Sequence, residues 1–131
     1  MKYMLDTNIC IYLIKKNPSV LKKLYSLRPE DICISSVTFA ELAYGVEKSS
    51  EKKRNALALA MLLSGIEVLD FDSAAAGAYG KVRAALEKSG TPIGPLDTMI
   101  AAHGLSLGLT VVTNNLREFG RVEGLKVENW V

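Results

Sequence analysis

The chain has 131 residues, 49% hydrophobic and 23% charged, with a formal net charge of +2; that length supports one domain with its own core, taken as residues 1–131, and so small a charge says little about polyanion partners, which need only a local basic patch. No apolar run nears the roughly 20 residues that span a bilayer. The first apolar stretch is broken by Asp6 and Asn8 with no small-residue cleavage site behind it, so a cytoplasmic protein without membrane contact is expected.

Tyr3 to Leu5 reads as a short buried strand, and a helix through Ile9 to Ile14 follows, with Thr7 or Asn8 as its cap. Pro18 opens the next helix, which carries Val20, Leu21, Leu24 and Leu27 at helical spacing and closes near Arg28-Pro29. "DICIS" is a second strand, after which Ser35 or Ser36 caps a helix containing "VTFAELAYG". The charge-rich "SSEKKRN" precedes a helix over "ALALAMLLSG" that Gly65 terminates. "IEVLDF" supplies the third strand. Ser73 opens a helix with Ala76, Tyr79, Val82 and Leu86 as its stripe, closing near "KSG". The loop "TPIGP" leads into a helix from Leu96 to about Leu107, "LTVVTNN" is the fourth strand, and "LKVENW" offers a fifth.

Strands and helices alternate, and the strands are continuous apolar runs, the pattern of a sheet buried on both faces. The fold class is therefore α/β: a three-layer α/β/α domain around a short, mostly parallel central sheet of four to five strands. In such sheets ligands bind beyond the carboxyl ends of the strands, so acids are ranked by where they fall.

Asp6 directly follows the first strand, where an N-cap is its structural alternative. Glu41 shares a helix face with Val37, Tyr44 and Gly45, and Asp97 precedes Ile100 and Ala101 on an apolar stripe just after Gly94-Pro95. The fourth strand ends in Thr113-Asn114-Asn115, with Glu118 three residues on. Several acids at one edge repel unless a cation intervenes, and hard oxygen donors favour Mg²⁺ or Mn²⁺. A zinc site is excluded by the donor set, since Cys10 and Cys33 lie in apolar stretches and His103 is the single histidine, read as a helix residue. Asn8 stands where a haloacid-dehalogenase-type phosphatase has a second Asp, and no P-loop or dinucleotide glycine motif is present.

"MLDTNICIYLIK", "ISSVTFAELAYGVEKS" and "GTPIGPLDTMIAAHGLSLGLTVVTNNLREFGRVEGLKVENW" resemble, in order and spacing, the PIN-domain toxins of VapBC toxin–antitoxin modules. The resemblance runs nearly end to end. It implies a metal-dependent endoribonuclease with Asp6, Glu41 and Asp97 as the central acids, Mg²⁺ or Mn²⁺ as cofactor, and a further metal-shell position in "TNNLREF". Many relatives have an Asp there; here the choice falls between Asn115 and Glu118. Thr7, Asn8 and Thr113 match supporting polar positions. Arg117 is the candidate for an RNA phosphate, the alternative being an ion pair with a neighbouring acid. The resemblance also implies a homodimer, a cognate VapB-type antitoxin as partner, operator DNA contacted only through that antitoxin, and a structured RNA as substrate, with tRNA and in particular initiator tRNA foremost. Competing readings are a PIN nuclease of RNA or DNA processing and a catalytically silent RNA-binding module.

Overall fold

A computed structural model describes all residues 1–131. Five strands, β1 (Tyr3–Leu5), β2 (Ile32–Ser35), β3 (Glu67–Leu69), β4 (Thr110–Val112) and β5 (Lys126–Glu128), form one sheet in the order β3-β2-β1-β4-β5. All four pairings are parallel, so the expected mostly parallel sheet is wholly so. Seven helices connect them: α1 (Thr7–Ile14), α2 (Pro18–Tyr25), α3 (Ser36–Lys48), α4 (Lys52–Gly65), α5 (Ser73–Lys88), α6 (Pro95–Ser106) and α7 (Leu116–Phe119). No helix is long and apolar enough to cross a membrane.

The two-residue period of a strand explains the layers. Met4, Cys33 and Val111 point to one face, where Val82 and Leu86 of α5 and Ile100 of α6 cover them. Leu5, Ile34 and Val112 point to the other, against Ile9 and Leu13 of α1, Val20 of α2 and Leu59 of α4. One close approach fixes α6 on its sheet face. A Cβ at Gly104 would stand 2.6 Å from Cγ2 of Val111, so only glycine lets the helix lie that near β4.

Several expectations change. α1 is capped by Asp6, not by Thr7 or Asn8: Oδ1 of Asp6 accepts the Ile9 N–H at 2.9 Å. α2 ends at Tyr25, leaving Leu27 beyond it. α4 begins at Lys52 and takes in most of the charge cluster that reads as a connector, because Lys and Arg are good helix formers. On α5 the buried residue is Ala75 and Ala76 faces outward. "LREF" forms the short helix α7, which hydrophobic period does not announce. Of the two candidate caps for α3, Ser35 takes the position, accepting the Val37 N–H at 3.1 Å.

Candidate functional site: an acidic edge at the centre of the sheet

The chain order reverses direction at β1. β2 and β3 extend the sheet to one side and β4 and β5 to the other, so the carboxyl ends of β1 and β4 part above a crevice where open α/β sheets hold ligands. Asp6 stands there by chain connectivity. Its N–H donates to the Val112 carbonyl at 3.0 Å, which ties the residue to the end of β4, and its side chain is only 3% exposed.

Burial pushes the Asp6 carboxyl up from its ordinary value, and the negative Glu41 adds to this; the Ile9 N–H, the Thr113 hydroxyl and the Asn8 N–H work in the opposite direction. Thr113, fully buried at the end of β4, also accepts the Asn115 N–H at 2.9 Å. Two of the expected supporting residues thus act on Asp6 directly. Asn8 does so through its backbone, since its side chain is exposed.

The third supporting residue serves another acid. Thr7 donates its hydroxyl to Oε1 of Glu41 at 2.7 Å, joining the first turn of α1 to the middle of α3. Asp97 sits half-buried in the first turn of α6, where Pro95 presets the helical φ and Gly94 precedes it. Its carboxyl is pushed up to about 6 by burial first, and then by the charges of Asp6, Glu41 and Glu118 in that order. Asp97 therefore feels three acids from three other chain segments, and Asp6 feels Glu41.

The two candidates in "TNNLREF" have different surroundings. Glu118 is among the charges felt by Asp97. The Asn115 side chain is engaged elsewhere, its Oδ1 taking the Glu118 N–H at 3.4 Å as the cap of α7. Arg117 is exposed and takes part in none of the ion pairs of the chain, so a neighbouring acid does not hold it.

The donor set fits a hard divalent cation: carboxylates gathered at one edge, two of them, Asp6 and Asp97, with raised proton affinity, and no thiolate or imidazole among them. No three of the chain's His, Cys, Asp and Glu side chains are drawn tightly enough together to enclose an ion by themselves. An open set of this kind suits a divalent cation that keeps several waters and takes only one or two protein carboxylates. A further oxygen escapes the sequence reading. Oγ1 of Thr38 is buried without a hydrogen-bond partner, three residues before Glu41 on α3. The signal for it is a threonine at i−3 from the acid inside an otherwise apolar turn.

The PIN domain family matches residues 3–125 of the chain. Over 130 residues, 99% of this chain and 98% of the relative, the sequence is 51% identical to the tRNA(fMet)-specific endonuclease VapC of Shigella flexneri. Among solved structures it resembles a chain of DNA-bound VapBC from Salmonella typhimurium with a TM-score of 0.95 and 49% identity, covering 100% of this chain and 99% of that one. The match to a chain of VapBC2 from Rickettsia felis, bound to a DNA fragment from their promoter, has a TM-score of 0.94 and 44% identity, with 100% of both chains covered.

Proposed function

This chain belongs to the PIN domain family, and on that premise we propose that it is the toxin of a VapBC-type toxin–antitoxin pair, an endoribonuclease that cuts tRNA and so stops translation. The observation that carries the reading is the charge coupling of Asp6, Glu41, Asp97 and Glu118 at the carboxyl edge of β1 and β4. The intact acid set favours catalysis over a silent binding module.

We assign Asp6, Glu41, Asp97 and Glu118 to the divalent cation, Mg²⁺ with Mn²⁺ as a substitute, and give Asn115 the role of holding Glu118 in place. When bound, the cation supplies an activated water and a charge that stabilises the leaving oxyanion in phosphodiester hydrolysis. The side chains have distinct tasks. Asp6, shut in and braced by Ile9 N–H and Thr113, is the fixed donor. Glu41 is oriented by Thr7. Asp97, half-buried in the first turn of α6, and Glu41 are the two acids assigned to take a proton from the attacking water. Arg117, free of any ion pair, is placed to hold a phosphate of the RNA.

The partner reading rests on the solved relatives, which are VapBC complexes. A groove lined by Ile11, Ile14, Leu42, Val46 and Leu59 opens beside Thr7 and Glu41 and supports an antitoxin segment that covers the acidic edge. Operator DNA is then contacted through the antitoxin, the toxin pairs as a homodimer, and the site of action is the cytoplasm. The test is incubation of the purified chain with a total tRNA pool and Mg²⁺, followed by sequencing of the new RNA ends. Cleavage concentrated in initiator tRNA, abolished by EDTA and by Asp6→Asn, is the expected result; cleavage unaffected by both treatments refutes the assignment.

A further inference from the structure

Glu41 and Asp97 lie on helices from different crossovers, so chain connectivity does not set the distance between them. Beside the apolar packing of Val37 near Ile100 and Ala101, one buried side-chain hydrogen bond joins those helices. Nδ1 of His103, in the last turn of α6, stands 2.9 Å from Oγ of Ser35, the N-cap of α3. Ser35 is fully buried and His103 is 2% exposed. Each acid is six residues along its own helix from the bonded residue, about 9 Å of rigid rise.

The direction of the bond follows from what each atom already does. Ser35 Oγ accepts the Val37 N–H, and its only other neighbour is His103. If the ring donated from Nδ1, the buried Ser35 hydroxyl hydrogen would have no acceptor; a neutral ring that accepts at Nδ1 and carries its proton on Nε2 gives that hydroxyl its acceptor. Burial lowers the ring's proton affinity and keeps it neutral, against the opposing charges of Asp72 and Asp70. Phe71 packs edge-on against the ring at 5.5 Å, and is itself held by its N–H bond to Ser36 Oγ at 2.9 Å. The histidine is thus fixed in orientation from two sides, at the cap of the helix that bears Glu41.

We propose that His103 is a positioning residue of the metal site: its bond to Ser35 sets helix α3, and with it Glu41, against helix α6, which carries Asp97. With the Thr7–Glu41 bond it makes one rigid unit of the three elements that present Asp6, Glu41 and Asp97. The inference rests on the metal-site reading above and adds a residue that touches neither metal nor RNA.

The test compares His103→Asn, whose amide reaches the place of Nδ1, with His103→Gln, whose amide reaches the place of Nε2 and leaves Ser35 unpaired. Mn²⁺ binding to the intact chain is measured by calorimetry without RNA, beside thermal melting and Mg²⁺-dependent cleavage. His103→Asn is expected to keep the parental Kd for Mn²⁺ within about threefold, and His103→Gln to weaken it on the order of tenfold, the range seen when support behind a ligand is lost. Equal Mn²⁺ affinities in the two variants, even with a lower melting temperature in one, overturn the proposal and make His103 a packing residue. If either variant fails to fold, Ser35→Thr, which keeps the hydroxyl, and Ser35→Gly, which removes it at a cap position that tolerates glycine, provide the contrast from the other side of the bond. A parent chain that binds no Mn²⁺ and cleaves nothing overturns the metal-site reading itself; a parent that does both beside unaffected variants overturns only the role of His103.

Discussion

Replacing Asp97 by Asn should stabilise the metal-free protein at neutral pH while destroying its activity. The Asp97 carboxyl is raised from 3.8 to about 6. Because its native value lies above its unfolded one, the native state holds more protons between those values. The contribution to stability is then fully present below about pH 4 and is lost as pH rises through 6. The shift corresponds to about 3 kcal/mol at most. Half-burial and solvent screening reduce that to about 1–2 kcal/mol, and losing a charge from the first turn of α6 returns up to about 1 kcal/mol of dipole attraction. A net gain of about 1 kcal/mol is expected, or about 3–5 °C in melting temperature for a chain of this size. Scanning calorimetry of parent and variant in EDTA at pH 4 and pH 7.5 should show coincident transitions at the lower pH and the variant melting higher at the upper. Saturating Mg²⁺ should raise the parent more than the variant. A variant that melts at or below the parent at pH 7.5 in EDTA would mean that burial and the neighbouring acids do not raise this carboxyl as described.

The remaining predictions address separate residues. Asp6→Asn keeps a competent cap for α1 and should melt near the parent yet be inactive, whereas Asp6→Ala should be inactive and also lose about 1 kcal/mol in urea unfolding; activity in the Asn variant removes Asp6 from the site. Glu118→Gln should raise the Mg²⁺ concentration for half-maximal cleavage, and Asn115→Ala should chiefly loosen α7, read by faster amide exchange there; the reverse pattern would make Asn115 the ligand. Arg117→Ala should weaken RNA binding and reduce the slope of log affinity against log salt by about 1, with an unchanged melting temperature. Gly104→Ala drives a methyl into Val111, whose branched side chain has little freedom to move, and should cost about 1–3 kcal/mol; a partial recovery on adding Val111→Ala would identify the clash as the cause.

What could be read in the sequence follows from how local each signal is. β1, β2 and β4 are continuous apolar runs bounded by polar residues, and the inward aim of Glu41 and Asp97 follows from helical spacing alone. "DTN" offers three cap-competent residues in a row, and what selects Asp6 is the long-range bond from its N–H to Val112. The Ala-rich start of α5 has no contrast between faces, so Ala75 and Ala76 exchange places unnoticed. α7 owes its one turn to the Asn115 cap, not to any periodicity. Ser35 and His103 are 68 residues apart and each has an ordinary local role, so nothing short of the fold pairs them.

The arrangement also explains how a chain tolerates four like charges at one edge before a cation arrives. Three of the acids sit at helix N-termini, where unpaired N–H groups carry partial positive charge. Asp6 caps α1, Asp97 lies in the first turn of α6, and Glu118 lies in the first turn of α7. For Asp6 the offset is direct, through the N–H groups of Ile9 and Asn8 at the start of α1. Glu41 alone lies in mid-helix, beyond that help, and its support comes from another element through the Thr7 hydroxyl, as Thr113 adds to the support of Asp6. Its helix is also the one anchored through Ser35 to His103. Asp6 has both a helix terminus and long-range contacts to Val112 and Thr113, whereas Glu41 has long-range contacts without a helix terminus, which makes the placing of Glu41 the part of this arrangement most dependent on the tertiary fold.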